Sequence, residues 1–353
     1  MIFLSMVIAD QDEAYISRLA KWFRENRAGQ FQIMAFTEKE SLLRFLSETD
    51  LHIDVLLVGE KLLDPVLISK FNTIILGQPV EPANIELKHI DKYLPAPTLC
   101  SEILSAISAF DRPGWGKAGK SELIVCMSPE PRLKSTLALY LSKSSPENIY
   151  INFESFPFYS TEQCSHRNQK NLSDVLYHIK ASKTNVPLAL ESAVHNIHNG
   201  INLILPMDNP KDLWELTEKE FGILVEALVS WGSFKNVIAD IELNAGPFMK
   251  YWLEFSSLIL IPFEITQLNQ VRCLKNMLNQ SISEKKIRWV LAGDCTKDSI
   301  PDEFNNLFII NGLYALTGDW SSLTFDNSIL QNITELLSIP AEYKSFQTVT
   351  PYF

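Results

Sequence analysis

Short apolar runs alternate with amphipathic stretches along the chain, and the rhythm breaks once. In the first half, Phe3–Ala9, Phe31–Phe36, Ile53–Val58 and Thr73–Leu76 read as strands, with a weaker one at His89–Leu94. Between them, Asp12–Asn26 places Ile16, Leu19, Ala20 and Phe23 at spacings of three and four, which predicts a helix with one buried face. Glu38–Ser47 repeats the pattern through Leu42, Leu43, Phe45 and Leu46, and Thr98–Phe110 does so through Leu99, Ile103, Leu104 and Ile107. Five strands alternating with helices predict a parallel sheet covered on both faces, in a flavodoxin-like order.

The break falls at Asp111–Lys120, where three glycines and a proline crowd into ten residues and read as a linker. The alternation then restarts. Strands are predicted at Glu122–Met127, Ile149–Phe153, Ile201–Leu205, Asn236–Ile241, Leu258–Phe263 and Ile287–Leu291. Helices are predicted at Leu133–Lys143, Leu172–Lys180, Asp212–Ser230 and Thr266–Ser281. The expected organisation is therefore two α/β domains with mostly parallel sheets, residues 1–111 and 121–353, joined by residues 112–120. A chain of 353 residues suits two cores better than one.

Charge and cysteines narrow the function classes. Thirty-one Lys and Arg against 42 Asp and Glu give a net charge of −11 with no basic cluster, so no nucleic-acid partner is expected. No apolar stretch is long enough to span a membrane, and the first residues lack a basic leader. Residues 321–353 carry Lys344 as their single base, so an amphipathic membrane anchor is not expected; Ile329, Ile333, Leu336 and Leu337 read instead as core. Five scattered cysteines without a CxxC pair suggest free thiols in the cytoplasm. Cys164, His166, His195 and His198 are ligand types in pairs, but their spacing fits no compact zinc site, and no metal is expected. Glycine is scarce at 13, and none lies between Gly119 and Gly200.

The opening Val7-Ile8-Ala9-Asp10-Gln11-Asp12-Glu13 resembles the first strand and acidic turn of a two-component receiver domain. That resemblance implies Mg²⁺ on the acidic pair, a phosphoacceptor Asp ending the third strand, a hydroxyl after the fourth and a Lys after the fifth. Here Gly59 stands at the phosphoacceptor position, the hydroxyl position falls near Gly77, and Tyr93-Leu94-Pro95-Ala96 puts Ala96 at the lysine position. The implied domain is a pseudo-receiver, in which Asp10 and Asp12 serve a helix N-terminus.

Leu123-Ile-Val-Cys-Met-Ser128-Pro-Glu-Pro-Arg-Leu-Lys134-Ser-Thr-Leu-Ala-Leu139 resembles the deviant Walker A strand, loop and helix of MinD/ParA-type ATPases. Its frame is kept and its interior is not. Glu130 takes the signature lysine position, Pro131 and Arg132 replace the glycine pair, and the loop is one residue short. A P-loop needs converging backbone N–H groups, and proline has none. Ile149-Tyr-Ile-Asn-Phe-Glu154-Ser-Phe156 and Asn236-Val-Ile-Ala-Asp240-Ile-Glu242 resemble further segments of that family, Asp240 standing where active members orient Mg²⁺ and water. Leu258–Phe263 resembles the strand beside the nucleotide base.

A pseudo-receiver followed by such a domain is the order of TadZ/CpaE-type localisation proteins of tight-adherence pilus systems. The resemblance implies a non-catalytic scaffold that places a pilus or related secretion machine, recruited to the pole or the inner membrane face through partners. The alternative is a weak ATP-dependent dimerisation switch, using Lys134, Ser135, Thr136 and Asp240 as a remnant nucleotide site with Mg²⁺. No catalytic residue is expected, and no bound cofactor under the scaffold reading. A homodimer independent of nucleotide is expected, through aromatics around Phe153–Tyr159 and Asn244–Tyr251. The residues beyond Lys297 resemble nothing in these families.

Overall fold

The computed structural model describes residues 4–27, 30–49, 51–77, 88–108, 110, 120–158, 169–183, 185–197, 200–293, 303–304, 306–316 and 324–337. By packing, the chain forms two units, Met1–Gly119 with Ala181–Ser192, and Lys120–Lys180 with Ala193–Phe353. Most of the linker that the sequence suggested, and Cys164, His166, His198 and Tyr159, lie outside the described residues.

The first unit contains β1 (Leu4–Ala9), α1 (Glu13–Asn26), β2 (Phe31–Phe36), α2 (Lys39–Glu48), β3 (Val55–Gly59), α3 (Pro65–Lys70), β4 (Thr73–Leu76), β5 (Lys88–Ile90) and α4 (Ala96–Ser108). Its sheet is parallel throughout, in the order β2-β1-β3-β4-β5, the doubly wound order of flavodoxin-like folds. Both faces are covered, so Val55–Gly59 and Thr73–Leu76 are buried at every position. The helix starts follow ordinary capping chemistry. Asp12 accepts the Tyr15 N–H at α1, and Asp64 accepts the Val66 N–H at α3, whose first residue is Pro65.

Sequence periodicity put residues 181–192 in the second half, but α7 (Val186–Ser192), which follows α6 (Leu172–Lys180), packs on α4 of the first unit. Its apolar Val186, Leu188, Ala189 and Leu190 are buried there. Glu191 is held by Gln30 at 2.8 Å and Arg27 at 3.3 Å, and Ser101 Oγ donates to the Ser192 carbonyl at 2.5 Å. A seven-residue helix has no periodicity strong enough to declare its partner.

The second unit is built on β6 (Glu122–Cys126), α5 (Pro131–Lys143), β7 (Asn148–Asn152), α6, β8 (Val194–Asn196), β9 (Asn202–Ile204), α8 (Lys211–Trp214), α9 (Glu218–Ser230), β10 (Asn236–Asp240), α10 (Met249–Phe255), β11 (Leu258–Phe263), α11 (Leu268–Asn279), β12 (Ile287–Ala292), β13 (Leu307–Ile310) and α12 (Asn327–Ile333). The eight strands run β13-β12-β11-β6-β10-β7-β9-β8, parallel except for β8. The single helix expected at Asp212–Ser230 is two. Thr217 starts α9 with a capping box, accepting the Glu220 N–H while Glu220 accepts back from Thr217, and this breaks the run.

Residues 133–142 of α5 are all buried, because the helix lies between the sheet and the C-terminal segment. The Asp326 N–H donates to Tyr140 Oη at 2.9 Å, and Phe325 meets the Tyr140 ring edge-on. Ile329, Ile333 and Leu336 are buried in the same cluster, so the C-terminal apolar residues are core as their spacing suggested. No helix among the described residues is long and apolar enough to cross a membrane.

Candidate functional site

In open α/β sheets ligands sit at the carboxyl ends of the strands. In the second unit those ends bring together the loop after β6, the residues after β7 and those after β10. Lys134 stands at their meeting point, in the first turn of α5, with 1% of its surface exposed. Its ammonium is fully engaged. Nζ lies 2.6 Å from Glu154 Oε1, 2.8 Å from Asp240 Oδ1, and donates to the Ile241 carbonyl at 2.8 Å.

The carboxylates are held in turn. Tyr150 Oη donates to Asp240 Oδ2 at 2.7 Å. Asn152 Nδ2 reaches Tyr150 Oη, Glu154 Oε2 and Asp240 Oδ2 at 2.9, 3.2 and 3.3 Å, and Asn152 Oδ1 accepts the Glu154 N–H at 2.8 Å. Asp240 is 0% and Glu154 5% exposed. One cation, two carboxylates and two polar neighbours form a closed network, the arrangement that makes buried charge tolerable.

The titration of the network follows from its geometry. Burial pulls the Lys134 ammonium down, but Asp240 and Glu154 more than offset it and hold it above its ordinary 10.5. Burial and then the charge of Asp240 push the Glu154 carboxyl above its ordinary 4.5, with Lys134 opposing. Burial and Asp240 likewise push the Tyr150 phenol well above 10.0. An acid that ionises later in the folded chain contributes most below its unfolded value, and that contribution falls as pH rises through its folded value. The Lys134 contribution is complete below 10.5 and is lost as pH climbs through its raised value. In urea denaturation, the stability of the wild type relative to Glu154→Gln should therefore decline as pH rises from 4.5 towards neutrality. A constant or growing difference would contradict this placement of Glu154.

The loop before α5 is equally occupied. Ser128 Oγ donates to the Pro262 carbonyl at 2.5 Å and accepts the Glu130 N–H at 2.9 Å. Pro129 and Pro131 bring no N–H, and Pro131 is the first residue of the helix. Glu130 turns to Gln267 Nε2 at 3.3 Å, and the Arg132 guanidinium lies over the Phe158 ring at 4.2 Å. Of the hydroxyls, Thr136 Oγ1 accepts the Leu316 N–H at 2.9 Å, and the buried Ser135 Oγ has no partner among the described residues. Of the four residues singled out in the sequence, Lys134 and Asp240 are in contact, while Ser135 and Thr136 take no part in that pair. An incoming phosphate would meet two carboxylates already on the lysine, no convergent N–H nest, and a threonine used by the C-terminal segment. These residues do not fit Mg-ATP. Glu154 was not singled out in the sequence, though a carboxylate two residues past a neighbouring strand was the available signal.

The other expected residues are dispersed. Phe156 is 79% exposed, but Phe248 is buried, stacked on Phe221 with ring centres 4.1 Å apart, and Tyr251 meets the same ring edge-on. His195 Nε2 lies 2.6 Å from the Lys170 carbonyl, and burial lowers its pKa. Among the described residues no three His, Cys, Asp or Glu side chains are grouped to hold a metal. Cys100, Cys126 and Cys273 are free thiols.

In the first unit, Asp10 Oδ1 accepts the Asp12 N–H at 2.9 Å and Oδ2 pairs with Lys92 Nζ at 3.1 Å. The sequence alignment put Ala96 where a lysine was sought. That strand ends at Ile90, four residues earlier than the weak apolar run suggested, and Lys92 is the cation that reaches the acidic end of β1. Gly59 leaves the space that the Asp10 carboxyl fills: a Cβ there would collide with Asp10 Oδ2.

No protein-family model and no curated protein matches the chain. Solved structures are similar in fold. One is a plasmid partition protein from Borrelia burgdorferi bound to AMPPNP, at 15% identity, covering 62% of this chain and 98% of that one, with a TM-score of 0.44. A ParA family ATPase from Chlorobium tepidum is 15% identical over 64% of this chain and 92% of its own, with a TM-score of 0.42. The MinC:MinD cell division complex of Aquifex aeolicus is 14% identical over 50% and 70%, with a TM-score of 0.35. At such identities a shared fold does not carry a shared activity.

Proposed function

We propose that this chain is a non-catalytic scaffold whose nucleotide-type site is closed by its own side chains. The observation that carries the reading is the buried Lys134 ammonium, held by Glu154, Asp240 and the Ile241 carbonyl where a phosphate would otherwise be received. The first unit is read as a pseudo-receiver, because Gly59 offers no nucleophile and Lys92 is already paired with Asp10. The order of the two units and the TadZ/CpaE-like stretches support localisation or assembly of a tight-adherence pilus or related secretion machine. In this reading the chain acts in the cytoplasm and reaches the pole or the inner membrane face through protein contacts. The charge of −11 favours protein partners over nucleic acid.

A scaffold of this kind pairs through packed surface. Phe156, 79% exposed, and Trp214, 56% exposed, supply apolar area at the strand ends for a second copy of the chain. Light scattering should report one dimer mass with and without Mg-ATP, and Phe156→Asp should shift the chain towards monomer. A monomer that dimerises only with Mg-ATP would favour the nucleotide-driven switch, and a monomer under both conditions would remove the dimer.

A further inference from the structure

Beside the closed ion-pair network, a second feature of the strand ends remains open. A cavity of about 300 Å³ lies where β7 and β10 end, at the lower limit of ordinary small-ligand pockets. Its floor and walls are aromatic. Phe153 and Phe221 meet Trp252 edge-on at 4.9 and 5.3 Å, and Phe248 stacks on Phe221. These rings pack on one another and fix the wall, so the cavity does not depend on a guest for its shape.

The mouth is polar and carries two carboxylates. Trp214 Nε1 donates to Ser155 Oγ at 3.1 Å, which orients its exposed ring at the rim. Among the described residues, Glu242 and Glu218 are the ionisable ones that line the cavity, and no Lys, Arg or His is among them. Glu218 is paired with Lys250 outside it. Glu242 Oε1 accepts the Ser155 N–H at 2.6 Å, and a carboxylate has further acceptor capacity to offer. An aromatic wall with a carboxylate at its mouth attracts an apolar body bearing a positive charge, through area, cation–π attraction and ion pairing together.

We propose that this cavity binds an organic cation: a flat or aliphatic body of roughly phenyl size carrying an ammonium or guanidinium group. The occupant is either a free amine or the basic and aromatic side chains of a partner polypeptide, which present the same chemistry. Lys134 does not line the cavity, but Ile241, whose carbonyl accepts from Lys134, does.

Calorimetric titration of the full chain tests this with phenethylamine, its anionic counterpart 3-phenylpropionate, and the capped dipeptide N-acetyl-phenylalanyl-arginine amide. Phenethylamine should bind saturably in the millimolar range, with the anion about tenfold weaker. Glu242→Gln, which keeps an acceptor for Ser155 but loses the charge, should weaken the amine about fivefold and leave the anion no worse. Ala245→Leu, which fills the cavity, should abolish binding at an unchanged melting temperature. Tighter binding of the dipeptide than of the amine would point to a partner segment, and the reverse to a free ligand; either supports the site. No saturable binding of amine or dipeptide, equal binding of the anion, or an unchanged preference in Glu242→Gln would overturn it. The Glu242→Gln comparison stands even where Ala245→Leu does not fold.

Discussion

Lys134→Met is expected to remove about 3–5 kcal/mol of stability from the second unit, the cost of leaving buried carboxylates without their cation. The substitution keeps an unbranched apolar stem and loses the terminal ammonium, so packing on α5 changes little. What it removes is the charge between Glu154 and Asp240, which would then face each other across Asn152. The loss should be greatest at neutral pH and shrink on acidification, as Glu154, whose pKa burial already raises, takes up a proton. Trp231, Trp252 and Trp289, all buried in the second unit, allow fluorescence to follow its unfolding in urea. Combining Lys134→Met with Glu154→Gln and Asp240→Asn should recover most of the loss, since neutral groups of similar volume restore a satisfied interior. A lysine held ready for a phosphate would behave differently: its removal would leave stability almost unchanged. A loss below about 1 kcal/mol would therefore contradict the closed network.

Gly59→Asp should destabilise the first unit by about 1–3 kcal/mol, as overpacking of a filled interior does. The backbone at Gly59 is ordinary, with φ −66, so the cost arises from space and charge. A carboxylate at 59 must displace that of Asp10, which holds the Asp12 N–H and Lys92. Restoring the residue type therefore does not restore the acceptor geometry. Incubation with acetyl phosphate and Mg²⁺ should leave both wild type and Gly59→Asp without an acid-labile phosphoryl adduct. A stable variant that acquires an adduct at position 59 would show that Asp10 yields easily and would support the placement of Gly59 at a phosphoacceptor position, whereas an adduct on the wild-type first unit would overturn the pseudo-receiver reading.

The parallel strands were legible because central strands buried on both faces must be continuously apolar. Val55–Gly59, Asn236–Asp240 and Leu258–Phe263 lie within a residue or two of their predicted bounds. Lys134, Ser135, Thr136 and Asp240 were picked out by resemblance, and of these the structure pairs Lys134 with Asp240. The occupation of that lysine was not legible, because its partners lie 20 and 106 residues away and only the β7–β10–β6 sheet order brings them to one point. Lys92 was missed for a local reason: β5 is three residues long, too short for its end to be fixed by an apolar run. The C-terminal segment showed its core residues but not their partner, since apolar spacing names a buried face without naming what covers it. The aromatic cavity was half seen, with Phe248 read as exposed interface when it lines a pocket with Phe153, Phe221 and Trp252.

Equilibrium dialysis of labelled ATP with Mg²⁺ against the full chain addresses the closed site most directly. The network around Lys134 predicts no saturable binding at millimolar nucleotide, and an identical result for Asp240→Ala. Saturable, Mg²⁺-dependent binding by the wild type that Lys134→Ala abolishes would contradict it.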